Sequence, residues 1–128
     1  GVLASGTILA LGVSVELSTL WILPTRDKRQ QALDLLHSVQ GPTQAEPHCL
    51  ACRVYEEHGS DESILFFECW DSKEGLERHI RSDMYHRVLE AMELSQVPPD
   101  LKFYHVAQTR GMSLVEALRS GVPEPAGN

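Results

Sequence analysis

The sequence predicts an α+β fold in which two helices cover one face of a four-stranded antiparallel sheet. Strand and helix patterns follow one another in the order β-α-β-β-α-β. The connection between the second and third strands is short, as in a hairpin. At 128 residues, of which 42% are apolar and 23% charged, the chain has the size and composition of one domain with its own core.

The first strand and the first helix occupy the start of this domain. VELSTLWIL (15–23) is rich in β-branched and aromatic residues and ends before Pro24, a pattern typical of a strand. A helix is predicted over 25–41, because apolar residues recur there at helical spacing. Gly41 and Pro42 are expected to end this helix.

The second and third strands form the predicted hairpin. CLACRVYEEH (49–58) and SILFFECW (63–70) both have strand character, and GSDE lies between them as a turn. Odd spacing on a strand sends side chains to opposite faces, so Cys49 and Cys52 are expected to face apart unless the strand is bulged. A thiol pair or shared metal there is therefore disfavoured, and Arg53 is expected to share the face of Cys49.

One long helix and one strand complete the domain. The helix is predicted over 71–94, capped by Asp71 or Ser72, and the strand LKFYHVAQT over 101–109. A short helix over 113–121 follows. This order of elements is the ferredoxin-like, split-βαβ pattern.

The third strand also predicts a second subunit. Its even positions read Ile, Phe, Glu, Trp and its odd positions Ser, Leu, Phe, Cys, so both faces are largely apolar. Helices cover one face, whereas one chain has nothing left to cover the other. The sequence therefore predicts a homodimer packed sheet to sheet.

Charge and cysteine content exclude several classes of protein. A net charge of −7 without a basic run argues against binding to nucleic acid or an anionic membrane. Three cysteines are too few for a disulfide framework and are expected to be free thiols in the cytoplasm. No apolar run is long enough for a membrane-spanning helix.

The predicted organisation has three parts: an extension over 1–14, the ferredoxin-like domain over 15–110, and a C-terminal helix and tail over 111–128. The uncharged segment 1–13 is expected to be an extra strand or a subunit-contacting arm. The less favoured alternative is the remnant of a signal peptide.

One segment resembles a known family. FFECWDSKEGLERHIRSDMYHRVLEAM has a strand ending in Glu-x-Trp, a serine, a helical histidine nine residues after the tryptophan, and then a serine and an aromatic residue. These positions are Glu68, Trp70, Ser72, His79, Ser82 and Tyr85. The pattern resembles the antibiotic biosynthesis monooxygenase-like family of dimeric α/β-barrel proteins, over about residues 15–110.

The resemblance implies a ferredoxin-like protomer that dimerises into a barrel, with a pocket between sheet and helices. Members of known activity oxidise quinols or polyketide aromatics with oxygen, without metal or flavin, and others degrade haem. Haem-degrading members have Trp where this chain has His79, His where it has Leu89, and Asn in the first strand, where Ser18 or Thr19 stands. These departures argue against haem degradation.

His79 is the predicted catalytic residue. It lies on the apolar stripe of its helix, directed at the pocket that the resemblance implies, where it would take or stabilise a phenolic proton. The alternative is a core histidine bound by a backbone carbonyl or by Glu68. Glu68 itself lies on an apolar strand face and needs a partner, for which Arg53 is the first choice and His79 the second.

Glu68 and Arg53 are also predicted to bind the substrate, where one or the other would orient its polar groups. The remaining predicted substrate-binding residues are aromatic. Trp70 shares a strand face with Glu68 and would stack on an aromatic ring, unless it only packs the core. Tyr85 and Tyr104 are weaker candidates. Tyr104 and His105 are adjacent on a strand, so one faces into the protomer and the other toward the partner.

The predicted function is that of a cofactor-independent monooxygenase acting on a small aromatic or quinol with molecular oxygen. No cofactor is expected, and no metal, because no H-x-H, H-x-x-x-H or H-E-x-x-H spacing occurs. The alternative is a non-catalytic small-molecule-binding or stress-associated dimer. A sealed space around His79 would favour the alternative, whereas an open cavity of roughly 300 Å³ would favour a substrate.

Overall fold

The computed structural model describes residues 14–59, 62–121 and 123, so the prediction for segment 1–13 falls outside the described residues. Four strands are present in them: β1 (Val15–Ile22), β2 (Cys49–Glu56), β3 (Ile64–Trp70) and β4 (Asp100–Val106). Four α-helices accompany them: α1 (Arg29–Gln44), α2 (Lys73–Arg81), α3 (Tyr85–Glu93) and α4 (Met112–Ser120). A 3₁₀ turn, Arg26–Lys28, leads into α1.

The strands form one antiparallel sheet in the order β2-β3-β1-β4. This is the predicted ferredoxin-like arrangement, with an extra break in the second helix and an additional helix at the end. Ser18 in the middle of β1 lies opposite Glu68 on one side and Phe103 on the other. That register decides which side chains share a face.

The inner face of the sheet is the one on which the helices pack. It carries Phe66, Glu68 and Trp70 of β3, all buried. The core between sheet and helices consists of these buried residues: Leu20, Ile22, Ala32, Leu33, Leu36, Val39, Cys52, Ile64, Phe66, Tyr85, Val88 and Ala91. The opposite, outer face carries Leu65, Phe67 and Cys69 of β3.

The predicted end of the first helix at Gly41 is wrong, because α1 continues to Gln44 with Pro42 inside its last turn. A proline in the last turn removes one backbone N–H donor from the helix, and side-chain hydrogen bonds to β2 offset this loss. The side chains of Gln40 and Gln44 both donate to the carbonyl oxygen of Cys52, at 3.1 and 2.9 Å. These bonds hold the final turn of α1 against β2.

The predicted single helix over 71–94 is also wrong, because it is broken at Ser82. This residue has extended backbone angles, φ −72° and ψ 157°, between α2 and α3. Its hydroxyl donates to the carbonyl oxygen of His79 at 2.7 Å, a local bond with which serine competes with the helix. The break allows His79 of α2 and Tyr85 of α3 to face the same interior space, with ring centres 5.4 Å apart.

A bulge near the start of β2 changes which residues share its faces. Cys49 lies opposite Trp70 and Cys52 opposite Glu68, with an irregular register between Cys49 and Ala51. The extra residue places both cysteines on the inner face. The exception made for a bulged strand therefore applies to the two cysteines. The expectation that Arg53 shares the face of Cys49 is wrong.

Candidate functional site

His79 lies at the centre of a buried cluster of polar and aromatic side chains. Its Nδ1 is 3.1 Å from Oε2 of Glu46, and its Nε2 is 3.1 Å from Oε2 of Glu68. The indole N–H of Trp70 donates to Oε1 of Glu68 at 2.8 Å. We call Glu46, Glu68, Trp70, His79 and Tyr85 the His79 cluster.

The two carboxylates favour the protonated form of His79. A neutral imidazole has a single N–H, whereas here both ring nitrogens face a carboxylate oxygen. Burial lowers the pKa of His79, but the hydrogen bond and charge of Glu68, together with the charge of Glu46, outweigh it and raise the pKa above the usual value. Trp70 packs on the ring at 5.0 Å, a contact that favours a cation.

The His79 cluster is closed to solvent at its centre. Trp70 is fully buried, and His79 and Glu68 are each only 1% exposed. Glu46 alone among the charged members reaches the surface, with 32% of its side chain exposed. Neither nitrogen of His79 is free for a substrate while both carboxylates bind it.

The structure brings together some predicted site residues and separates others. Glu68, Trp70 and Tyr85 all contact His79 or one another, as the shared strand face of Glu68 and Trp70 predicted. The predicted pairing of Arg53 with Glu68 is wrong, since Glu68 binds His79, the second choice. The physical reason is the register of the hairpin, in which Arg53 lies opposite Phe67.

Arg53 and Tyr104 belong to the outer face, on the far side of the sheet from His79. Nη1 of Arg53 donates to the carbonyl oxygen of Cys52 at 3.3 Å. Tyr104 lies opposite Leu17 of β1 and is 44% exposed. Neither side chain can contact a molecule bound at the inner face.

Sequence reasoning missed Glu46. The residue lies two positions after the C-terminal end of α1, and beyond the predicted end of that helix at Gly41. No spacing motif links it to His79, 33 positions later. The one available signal was chemical: a buried histidine that binds one carboxylate still has a second nitrogen to satisfy.

The inner face stays open where it reaches β4. Leu101, Phe103 and His105 point to this face, and Phe103 is 47% exposed. His105 Nδ1 is 2.5 Å from Oε2 of Glu16 on β1. We call Leu101, Phe103 and His105, with Glu16 and Ser18, the β4 inner surface.

The β4 inner surface borders the His79 cluster directly. Ser18 lies between Glu68 and Phe103, and Glu16 lies between Trp70 and His105 in the strand register. The sealed polar core is therefore continued, across neighbouring strands, by a partly exposed surface that includes the ring of Phe103. Sequence reasoning found that Tyr104 and His105 face opposite sides, and the structure places His105 on the inner one.

The cysteines are free and unsuited to nucleophilic chemistry. Burial raises the pKa of Cys49 to about 12, with the charges of Glu68 and Glu46 adding to the effect. Burial likewise raises the pKa of Cys69 to about 11 and that of Cys52 further. A reactive thiol needs the opposite shift. Within the described residues, no three His, Cys, Asp or Glu side chains are grouped to hold a metal ion.

A surface depression of about 630 Å³ lies elsewhere, between α1 and α3. It is lined by Gln30, Gln31, Asp34, Leu35, Ser38 and Arg87. None of the predicted site residues is among them.

None of the helices in the described part of the chain is long and apolar enough to span a bilayer.

The fold and the Glu-x-Trp strand facing a helical histidine define a class of small α+β domains. Residues 22–91 match the model of the family described as antibiotic biosynthesis monooxygenase. This match covers more than half of the chain, which therefore belongs to that family, and the predicted resemblance is confirmed.

Similar proteins extend the comparison. An uncharacterised protein of Synechocystis, sll1783, is 31% identical over 85 residues, which are 66% of this chain and 58% of that relative's length. Rv0793 of Mycobacterium tuberculosis superposes with a TM-score of 0.67 at 22% identity, covering 76% of this chain and 99% of Rv0793. A structure described as an antibiotic biosynthesis monooxygenase superposes with a TM-score of 0.62 at 16% identity, covering 70% of this chain and 95% of that structure's chain. At these identities the structures confirm the fold alone.

Proposed function

We propose that this protein is a cofactor-independent monooxygenase whose substrate is a small electron-rich aromatic, a quinol or a related phenol. The observation that carries the proposal is the open β4 inner surface. Elsewhere on this face the helices bury large side chains, whereas Phe103 is half-exposed beside a histidine. A partly exposed phenyl ring beside a paired histidine and carboxylate suits an aromatic ring with hydroxyl substituents.

The chemistry needs a base and a place for the aromatic ring more than it needs an added redox group. Loss of a phenolic proton leaves an electron-rich anion, and a ring carbon of that anion forms a bond to oxygen. The O–O bond then breaks, one oxygen atom stays on the ring, and the other leaves as water. For a benzene-type quinol, C₆H₆O₂ and O₂ give C₆H₄O₃ and H₂O, so the substrate supplies all four electrons.

In the proposed function, the main role of the His79 cluster is to hold neighbouring side chains in place. Its closed hydrogen bonds fix Trp70 and Glu68 beside the surface on which the ring would lie, on the same face of the sheet. The catalytic role predicted for His79 remains a prediction, because the substrate would first have to displace Glu46 or Glu68. A polar group already bound on both sides is a poor proton acceptor.

Oxygen consumption with a panel of hydroquinones and naphthols tests the proposed function. We expect consumption of one oxygen per substrate, with one labelled atom from ¹⁸O₂ in the product and no hydrogen peroxide. Peroxide in place of label would indicate an oxidase. No consumption with any member of the panel above the protein-free rate would overturn the proposal.

A second candidate function follows from a different observation. The sealed state of the His79 cluster meets the criterion set above for a non-catalytic, small-molecule-binding or stress-associated protein. Such a protein would bind aromatic molecules at the β4 inner surface without turnover. Saturable binding of hydroquinones in calorimetry, without any oxygen consumption, would favour this candidate.

A further inference from the structure

We propose that His105, held by Glu16, is the base that takes the proton from a phenolic molecule bound on the β4 inner surface. This assignment deepens the proposed function and rests on it for the later oxygen step. Proton transfer alone is measurable without oxygen, so the two proposals can fail separately. Neither residue was among the predicted catalytic groups.

The hydrogen bond between Glu16 and Nδ1 of His105 leaves Nε2 as the nitrogen that can accept a proton. Nδ1 lies 2.5 Å from the Glu16 carboxylate, which accepts its hydrogen. A carboxylate in that place fixes the tautomer, so the other nitrogen, Nε2, carries the lone pair. It also stabilises the imidazolium that forms when Nε2 takes a proton. This is the arrangement of a base and the group that orients it.

The side chains of Glu16 and His105 differ in how far they are exposed to solvent. The Glu16 side chain is 14% exposed and lies in the register between Trp70 and His105. The His105 side chain is 62% exposed. The orienting carboxylate is therefore fixed within the sheet, while the ring that it orients remains open to an incoming molecule.

The neighbouring aromatic residue supplies a place for the ring of the substrate. Phe103 is two positions from His105 on the same strand, hence on the same face and about 7 Å along it. A ring stacked on Phe103 with its hydroxyl directed along the strand would lie within hydrogen-bonding reach of His105 Nε2. The broken bond is the phenolic O–H, its electron pair stays on the substrate oxygen, and the proton binds Nε2.

Other histidines lack this combination. Both nitrogens of His79 are bound by carboxylates in a closed core. His48 also pairs with a carboxylate, Asp71, at 2.9 Å, but its Cβ packs against the backbone of Gly75 at a helix start. The His48 pair is therefore a matched control: a surface histidine and carboxylate away from the β4 inner surface.

The test uses 4-nitrophenol, whose anion absorbs visible light and whose neutral form does not. Near the pKa of the probe, anaerobic titration with wild-type protein is expected to raise the anion absorbance in a saturable way. His105→Gln should lose at least nine-tenths of that rise, and Glu16→Gln most of it. His48→Gln should retain it, and circular dichroism should show all variants folded.

Two further measurements separate the role of a base from that of a structural residue. Added imidazole should restore the absorbance rise in His105→Ala, because it can enter the space that the side chain leaves. Phe103→Ala should weaken binding of the probe while leaving ionisation of the bound fraction unchanged. A structural role for His105 would give no rescue.

The outcomes assign failure to one proposal or the other. An absorbance rise that His105→Gln leaves intact, or no rise in wild type, would overturn the assignment of His105. A rise that depends on His105 without any oxygen consumption would support the base and overturn the monooxygenase. Oxygen consumption equal in wild type and His105→Gln would support the monooxygenase and overturn the base.

Discussion

At the scale of single residues, the His79 cluster is a buried charge system whose parts depend on one another. The imidazole of His79 lies between two carboxylates that favour its protonated form, and the indole of Trp70 donates to the other oxygen of Glu68. Desolvation of these groups costs free energy that only the complete set of bonds offsets. Removal of one charged member therefore leaves another buried charge unpaired.

The first prediction concerns His79→Leu. We expect the free energy of unfolding to fall by about 3–5 kcal/mol, because Glu68 is then buried without its cation. The double variant with Glu68→Gln should recover part of the loss, since the amide still accepts from Trp70 and carries no charge. Urea denaturation of the four proteins measures the coupling, and additive losses would contradict it.

The second prediction is the pH dependence of that loss. The pKa of His79 is raised in the folded protein, so its stabilising effect is complete below the ordinary value of about 6.5 and fades as pH rises through the raised pKa. The stability difference between wild type and His79→Leu should therefore shrink toward alkaline pH. Exposed His37→Gln serves as control, and a difference that grows with pH would contradict the account.

At the scale of elements, the start of α2 depends on a close approach between two segments. The Ser72 hydroxyl accepts from the backbone N–H of Gly75 at 2.8 Å, so Ser72 is the cap, one of the two residues predicted for that position. A Cβ at position 75 would lie 2.6 Å from Cβ of His48 and 3.0 Å from Oγ of Ser72. Glycine is therefore required there by space.

The third prediction compares two helical glycines. Gly75→Ala should lower the free energy of unfolding by about 1–2 kcal/mol, because the clash with His48 exceeds the gain in helix propensity. Gly41→Ala has nothing within 4 Å of its Cβ and should stabilise the protein by about 0.5–1 kcal/mol. Thermal unfolding of both variants checks the contrast, and changes of equal sign would disprove it.

Element order and sheet topology were predictable because each strand and helix has its own hydrophobic period. The errors occurred where a local bond overrides that period. The Ser82 hydroxyl breaks the second helix, and the glutamine side chains of α1 carry the first past Gly41 and Pro42. The spacing of residues in the sequence could not predict the bulge after Cys49. Because of this bulge, Arg53 lies on the face of the sheet opposite to that of Cys49.

The site was predictable in part for the same reason. Glu68 and Trp70 share a strand face by simple alternation, and the family pattern singled out His79. Glu46 and His79 are 33 positions apart in the sequence, and Glu16 and His105 are 89 positions apart. Only the folded chain brings the members of each pair together.

At the scale of the whole molecule, the outer face of the sheet is largely apolar, and none of the four α-helices in the described residues packs on its centre. Val15, Ala51 and Cys69 already form a small buried cluster there, bordered by Leu17 and Phe67. Trp21 and Tyr55 lie on the same face and are 39% and 51% exposed. An apolar sheet face of this kind supports the proposal of a homodimer packed sheet to sheet.

The fourth prediction follows from that proposal. Wild-type protein should sediment at twice the 14.3 kDa of one chain, and Trp21→Lys should shift it to the monomer. Leu89→Lys replaces an exposed apolar residue on α3 and should leave the dimer intact. A monomeric wild type, or dimers of equal stability in both variants, would contradict the sheet-to-sheet proposal.

The most direct measurement for the central proposal is a map of where a quinol binds. In ¹H–¹⁵N spectra titrated with hydroquinone under nitrogen, we predict shifts of the amides of Leu101, Phe103 and His105 and of Ser18 on β1. Shifts confined to the depression near Gln31 and Arg87, or spread without saturation over the surface, would contradict it.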